Sequence, residues 1–199
     1  QSNALGEIEV TYQLFDVATQ TRLQKASFRV TADQWRDVGH KIADLVYTEV
    51  TGVRGAFSTK ILYVLAQDIG TQRATYSLQM ADVDGERART LYRSSAPILS
   101  ASWSPDGERV AYVSFETGRP SIILQDVNGP NRERLTNFRG INGSPVFSPD
   151  GKQLAMVLSR SGDPEVFVMN LENRKLRRIT RHPAIDTEPS WSPDGNYLI

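Results

Sequence analysis

Residues 7–17, Glu-Ile-Glu-Val-Thr-Tyr-Gln-Leu-Phe-Asp-Val, alternate polar and apolar side chains. That period of two is the mark of a half-buried strand. A polar turn at Thr19-Gln20-Thr21 leads into a second strand over 22–30, ending at Phe28 and Val30. The period then changes. Thr31 with Gln34 three residues on makes a capping box, and a helix is expected from about Ala32 to Val50. Trp35, Val38, Ile42, Leu45 and Val46 fall on one helical face as an apolar stripe, and Gly52 is placed to stop it. A lone β-β-α unit is too small to bury a core of its own. It is therefore expected to end a preceding α/β domain, covering residues 5–52, with 53–60 as a linker.

Beyond the linker the pattern repeats. Trp103-Ser104-Pro105-Asp106-Gly107 returns as Phe147-Ser148-Pro149-Asp150-Gly151 and again as Trp191-Ser192-Pro193-Asp194-Gly195, a period of 44 residues both times. The flanks keep the register. Arg109–Ser114 matches Gln153–Leu158, Ile122–Val127 matches Val166–Leu171, and Arg134-Leu135-Thr136 matches Arg178-Ile179-Thr180. Each period holds four short β-rich runs between turn residues, which is the size of a four-stranded propeller blade. The five-residue motif is read as a structural turn. Pro105, Pro149 and Pro193 preset φ, Asp106, Asp150 and Asp194 bond nearby backbone N–H groups, and Gly107, Gly151 and Gly195 close it. The aromatic before each turn is expected to wedge between blades.

A degenerate blade comes first, with strands at Ile61–Ala66, Tyr76–Val83 and Arg89–Tyr92 and a turn at Asp84-Gly85. Residues 61–199 span about 3.2 periods, against roughly 4 to 8 blades in a closed ring. The fold class expected is thus mainly β: about three four-stranded blades of a truncated propeller, preceded by the β-β-α end of an α/β domain. Gln1–Ala4 reads as a cloning scar, so a native leader would not be seen here.

Composition narrows the chemistry. The 199 residues carry 23 Lys and Arg against 23 Asp and Glu, two His and no Cys. Without Cys there are no disulfides, zinc-thiolate sites or thiol nucleophiles. A net charge of zero gives no broad attraction for nucleic acid, and no apolar run is long enough to span a membrane. His40 lies off the helix stripe and His182 lies in a loop, so neither is read as a ligand. The basic stretch Arg174-Lys175 and Arg177-Arg178 with Arg181 is read as protection for an outer strand edge. Glu188, just before an inner strand, could face the channel and hold a cation such as calcium. Pairing with an Arg of the adjacent blade is the simpler expectation, and no cofactor is expected.

The stretch Trp35–Asp44 through Thr51–Phe57, with Lys60–Val64, Ala111–Arg119, Asn142–Pro145 and Thr187–Trp191, resembles the TolB family of the bacterial Tol-Pal system. The resemblance implies a periplasmic, non-catalytic scaffold built from an α/β domain and a six-bladed propeller. Such a scaffold supports outer-membrane integrity and cell division, and colicins exploit it during import, a form of protein transport. It implies binding of the peptidoglycan-associated lipoprotein Pal at one mouth of the propeller channel. The loops leading into the inner strands, 95–100, 140–145 and 184–189, would form that mouth. Ile141, Asn142, Gly143, Ser144, Thr187 and Glu188 are the candidate contacts. It further implies TolA binding through an N-terminal segment that this chain does not carry. The alternative is the gating propeller of a prolyl-oligopeptidase-like serine peptidase, where Ser-Pro-Asp-Gly repeats also occur. That enzyme requires a G-x-S-x-G hydrolase domain, and the motif is absent from these residues.

Overall fold

A computed structural model describes residues 7–199; the segment read as a cloning scar lies outside the described residues. The chain divides into two compact units. One holds the residues up to Ile61 together with Ala81–Ala88, and the other holds Leu62–Met80 and Arg89–Ile199.

In the first unit, β1 (Ile8–Asp16) and β2 (Thr21–Val30) pair antiparallel from Ile8↔Val30 to Asp16↔Thr21. Side chains of β1 alternate between half-buried and exposed, as the period of two predicts. The Asp16 carboxylate closes the hairpin by accepting the N–H groups of Ala18 at 2.8 Å and Thr19 at 3.1 Å. A 3-10 turn (Ala32–Gln34) opens α1 (Trp35–Thr51). The capping box forms there, with the Thr31 N–H donating to Gln34 Oε1 at 3.1 Å. Gly52 ends the helix in the left-handed conformation, φ 71°, its N–H donating to Thr48 O at 2.8 Å. Val38 is buried, and Ile42, Leu45 and Val46 are half-buried. Trp35 departs from the expected stripe: it stands at the first helical position, 58% exposed.

Residues 53–60 are tied along the helix rather than hanging free. Asp44 accepts the N–H groups of Phe57 at 2.7 Å and Ser58 at 3.1 Å, and Thr48 Oγ1 accepts that of Gly55 at 3.3 Å. The Tyr47 and Phe57 rings meet edge to face, 6.0 Å apart. The approach at Gly55 is so close that an added Cβ would lie 2.5 Å from the Asp44 Cα.

The second unit is built of antiparallel sheets whose strands follow chain order. The first has three strands, β3 (Lys60–Gln67), β4 (Thr75–Asp82) and β5 (Arg89–Ser94), of which Lys60, Ile61, Ala81 and Asp82 count with the first unit. The next has β6 (Ile98–Trp103), β7 (Arg109–Ser114), β8 (Ser121–Asp126) and β9 (Arg132–Arg134). The third has β10 (Asn142–Phe147), β11 (Gln153–Leu158), β12 (Glu165–Asn170) and β13 (Leu176–Arg178). A further blade begins with a Trp191↔Leu198 bridge.

Strands β7, β8, β11 and β12 are buried along almost their whole length. A middle strand in a blade is covered on both faces, so it reads as a continuous apolar run rather than an alternation. Phe147 joins a core with Ala111, Ile122 and Leu124 of the preceding blade and Leu154 of its own, the wedge expected of the motif aromatic. Trp191 donates its indole N–H to Val146 O at 3.2 Å. Between the first two blades, the Arg132 guanidinium lies 3.9 Å from the centre of the Tyr92 ring and donates to the buried Tyr112 hydroxyl at 2.7 Å.

The motif serine does more than fill a turn. Ser104 Oγ donates to Asp106 at 2.5 Å and accepts the Arg109 N–H at 2.9 Å. Ser148 repeats this with Asp150 and Gln153, and Ser192 with Asp194 and Tyr197. The serine and the backbone N–H groups hold each aspartate below the usual carboxylate range.

Candidate partner-binding face

Three segments lead into the inner strands, and each has the same irregularity. Ser100, Ser144 and Glu188 take positive φ values of 48°, 45° and 54°. They stand 44 residues apart, four before each motif serine. The ladders β6–β7 and β10–β11 slip register at Leu99/Ser102 and Gly143/Val146, so the first two sit in β-bulges. None of the three is glycine, and the left-handed region costs other residues roughly 1 kcal/mol or more. Ser144 and Glu188 also precede prolines, Pro145 and Pro189, a position ordinarily pushed toward extended backbone. A bulge re-aims the side chains around it.

The six candidate contacts occupy different environments. Ile141, Thr187 and Glu188 are exposed, and Gly143 and Ser144 are half-buried. Asn142 is 1% exposed. Its carboxamide donates to Phe138 O at 2.8 Å and Gly140 O at 3.2 Å and accepts the Phe138 N–H at 3.3 Å. Asn142, Gly143 and Ser144 thus open strand β10 rather than lying in a loop, and the Asn142 side chain is committed to shaping the turn before it. The bulge explains the difference, because pairing starts ahead of it and resumes after it. Glu188 makes no ion pair with any described residue, contrary to the inter-blade pairing expected of it. His182 is a structural residue: its N–H donates to Glu165 Oε1 at 3.1 Å and its Nδ1 accepts the Ala184 N–H at 3.1 Å.

The first unit has a different polar centre, which the sequence pattern did not reveal. Asp82, buried, is contacted by Lys60, by Arg87 Nε at 2.8 Å and by Arg36 Nε at 3.6 Å. Arg87 reaches on to both oxygens of Asp37, at 2.5 and 3.2 Å, and Arg36 pairs with Asp84. Burial works against the Asp82 charge, but Arg87 and Lys60 outweigh it and hold the carboxyl at about 2. His40 Nε2 lies 3.1 Å from Asp84 Oδ2. His40, Asp82 and Asp84 bring ligand atoms within 4.8 Å of one another, yet a metal ion would have to displace the Lys and Arg groups already on those oxygens. The cluster is an ion-pair network. Among the described residues no helix is long and apolar enough to cross a membrane.

Comparison with known proteins agrees with the repeat. A family model described as the TolB beta propeller domain matches residues 47–199. The Tol-Pal system protein TolB of Pseudomonas putida KT2440 is 49% identical over 140 residues, 70% of this chain and 32% of that relative. The crystal structure of TolB from Acinetobacter baumannii superposes with a TM-score of 0.88 at 45% identity, covering 96% of this chain and 47% of that one. The tricorn protease, at 16% identity and a TM-score of 0.53, covering 73% of this chain and 14% of that one, shares the fold alone. The chain spans about a third of the curated relatives it matches and about half of the Acinetobacter structure. The repeat, the partial propeller that it builds and these matches together place the chain in the TolB family.

Proposed function

We propose that the chain is part of a non-catalytic periplasmic scaffold of the Tol-Pal system that binds Pal through the segments leading into its inner strands. The observation that carries this reading is the in-phase strain at Ser100, Ser144 and Glu188. Backbone strain gathers at binding sites, where it is part of how a surface is presented. Exposed Ile141, Thr187 and Glu188 stand beside or within those strained segments. An apolar side chain flanked by small polar groups and one free carboxylate suits a protein partner better than a small molecule. The reading calls for no cofactor. It gives the protein a role in outer-membrane integrity and cell division, and in the route that colicins use, with TolA as a further partner of the scaffold. The peptidase alternative has only the shared fold in its favour.

The test is binding of purified Pal by the chain and by Ser144→Arg and Thr187→Arg. A long charged side chain in the mouth is expected to weaken binding at least about tenfold, a loss of about 1.4 kcal/mol. Unchanged affinity in both variants would show that Pal docks elsewhere.

A further inference from the structure

The loop carrying Thr187 and Glu188 is held at its root by a buried charge that the neighbouring blade lacks. Glu165, the first residue of β12, is fully buried. Its carboxylate pairs with Arg178, accepts the Thr180 hydroxyl at 2.5 Å and accepts the His182 N–H at 3.1 Å. Thr180 is fixed twice more: its Oγ1 accepts the Val166 N–H at 3.0 Å, and its carbonyl accepts Arg178 Nε at 2.8 Å. Farther along, the Asp186 N–H donates to Pro164 O at 3.1 Å. The loop therefore rests on residues 164–166 at both ends of its span, and Thr187 follows directly.

One repeat earlier the same position is Ser121, whose buried hydroxyl has no hydrogen-bond partner. There Thr136 Oγ1 still accepts the Ile122 N–H at 3.0 Å, but no carboxylate stands beneath it. That earlier loop is shaped from within by Asn142 and by Ser159 Oγ, which accepts the Ile141 N–H at 2.7 Å. The strand does not need a charge here, since the Ser121 blade forms the same ladder without one. A buried carboxylate is costly unless paired and hydrogen-bonded, and all the partners of this one lie in β13 or the loop.

We propose that Glu165 is the positioning residue of the 180–188 loop, setting the pose in which Thr187 and Glu188 meet the partner. This rests on the reading of the mouth given above. A loop fixed before binding loses less conformational freedom on binding.

Glu165→Ser tests it, because serine is accommodated at the equivalent place in β8. Hydrogen exchange on the chain is expected to quicken about tenfold or more at Ala184 and Asp186, the hydrogen-bonded amides of the loop. Rates in β11 and in the 138–143 loop should stay unchanged. Affinity for Pal is expected to fall about tenfold, and the melting temperature to fall as well, since Arg178 and Thr180 lose their partner. Should the serine variant not fold, Thr180→Val is expected to quicken the same amides by a smaller factor. Acceleration that stops at His182, or that spreads equally to every strand, overturns the proposal. So does unaltered Pal affinity in Glu165→Ser where Thr187→Arg weakens it. If the unsubstituted chain fails to bind Pal, the docking reading falls, and the exchange pattern alone decides whether Glu165 positions the loop.

Discussion

The two units of this chain are held together by opposite means. In the second, apolar side chains such as Leu78, Val110, Ile122, Leu154 and Met156 are completely buried, and Glu165 is the one charged group among the described residues buried with them. Among the described residues of the first, Val30, Val38 and Ala81 are the only buried apolar side chains. Its most buried polar group, Asp82, gathers three cations instead. A stacked blade covers both faces of the next one, so burial accumulates with each repeat. A hairpin and one helix offer two surfaces only, and hydrogen bonds and ion pairs must do more of the work. The two units should therefore respond to different perturbations.

The largest effect is expected in the propeller core. Leu154→Ala leaves a cavity among Ala111, Ile122 and Phe147 and is expected to cost about 2–5 kcal/mol. Thermal unfolding followed in the β11 and β12 amides measures it, with amides of α1 little affected. Equal loss in both units would mean that they unfold as one.

A smaller effect is expected from acid, and in the other unit. The Asp82 carboxyl titrates at about 2 when folded and near 3.8 otherwise. The folded value is depressed, so the charge stabilises the unit above about pH 4, and this is lost as pH falls toward 2. Asp37 and Asp84 are lowered in the same direction by their Arg and His partners, against burial. Because Lys60 and Arg87 are partly solvated, the loss from Asp82 is expected to be about 1–2 kcal/mol. Protection of the Asp82 and Val83 amides, bonded to Glu86 O and Thr59 O, should fall between pH 4 and pH 2 before that of β11 does. Asp82→Asn should flatten that pH dependence. A wild-type-like profile in the variant would remove Asp82 as its source.

The smallest effect concerns the strained positions. Ser144→Gly relieves a left-handed φ of 45°, so stability is expected to rise by up to about 1 kcal/mol. Denaturant unfolding reads this. A fall in stability would show that the serine side chain earns its place by contacts rather than by its role at the mouth.

The blades were legible because each one restates the last. Three motif turns in constant register reveal strand order, turn geometry and the buried aromatic wedge before any coordinate is known. The hairpin and helix were legible from a change of period. The ion-pair network was not: Arg87 lies 50 residues from Asp37 and Arg36 lies 48 from Asp84, and no local pattern joins them. Trp35 followed the helical spacing yet stayed exposed, since spacing assigns a face but not what covers it. At the mouth, the repeat alone could have aligned Ser100, Ser144 and Glu188, although their left-handed backbone has no signature in a serine or a glutamate. Glu165 could not have been singled out, because its counterpart is a serine and its partners become neighbours only through the β12–β13 pairing.

The most direct test of the docking face is an amide chemical-shift map of the chain titrated with Pal. The largest perturbations are expected at Ile141, Ser144, Thr187 and Glu188. Perturbations centred on α1, or on the outer strands β9 and β13, would contradict it.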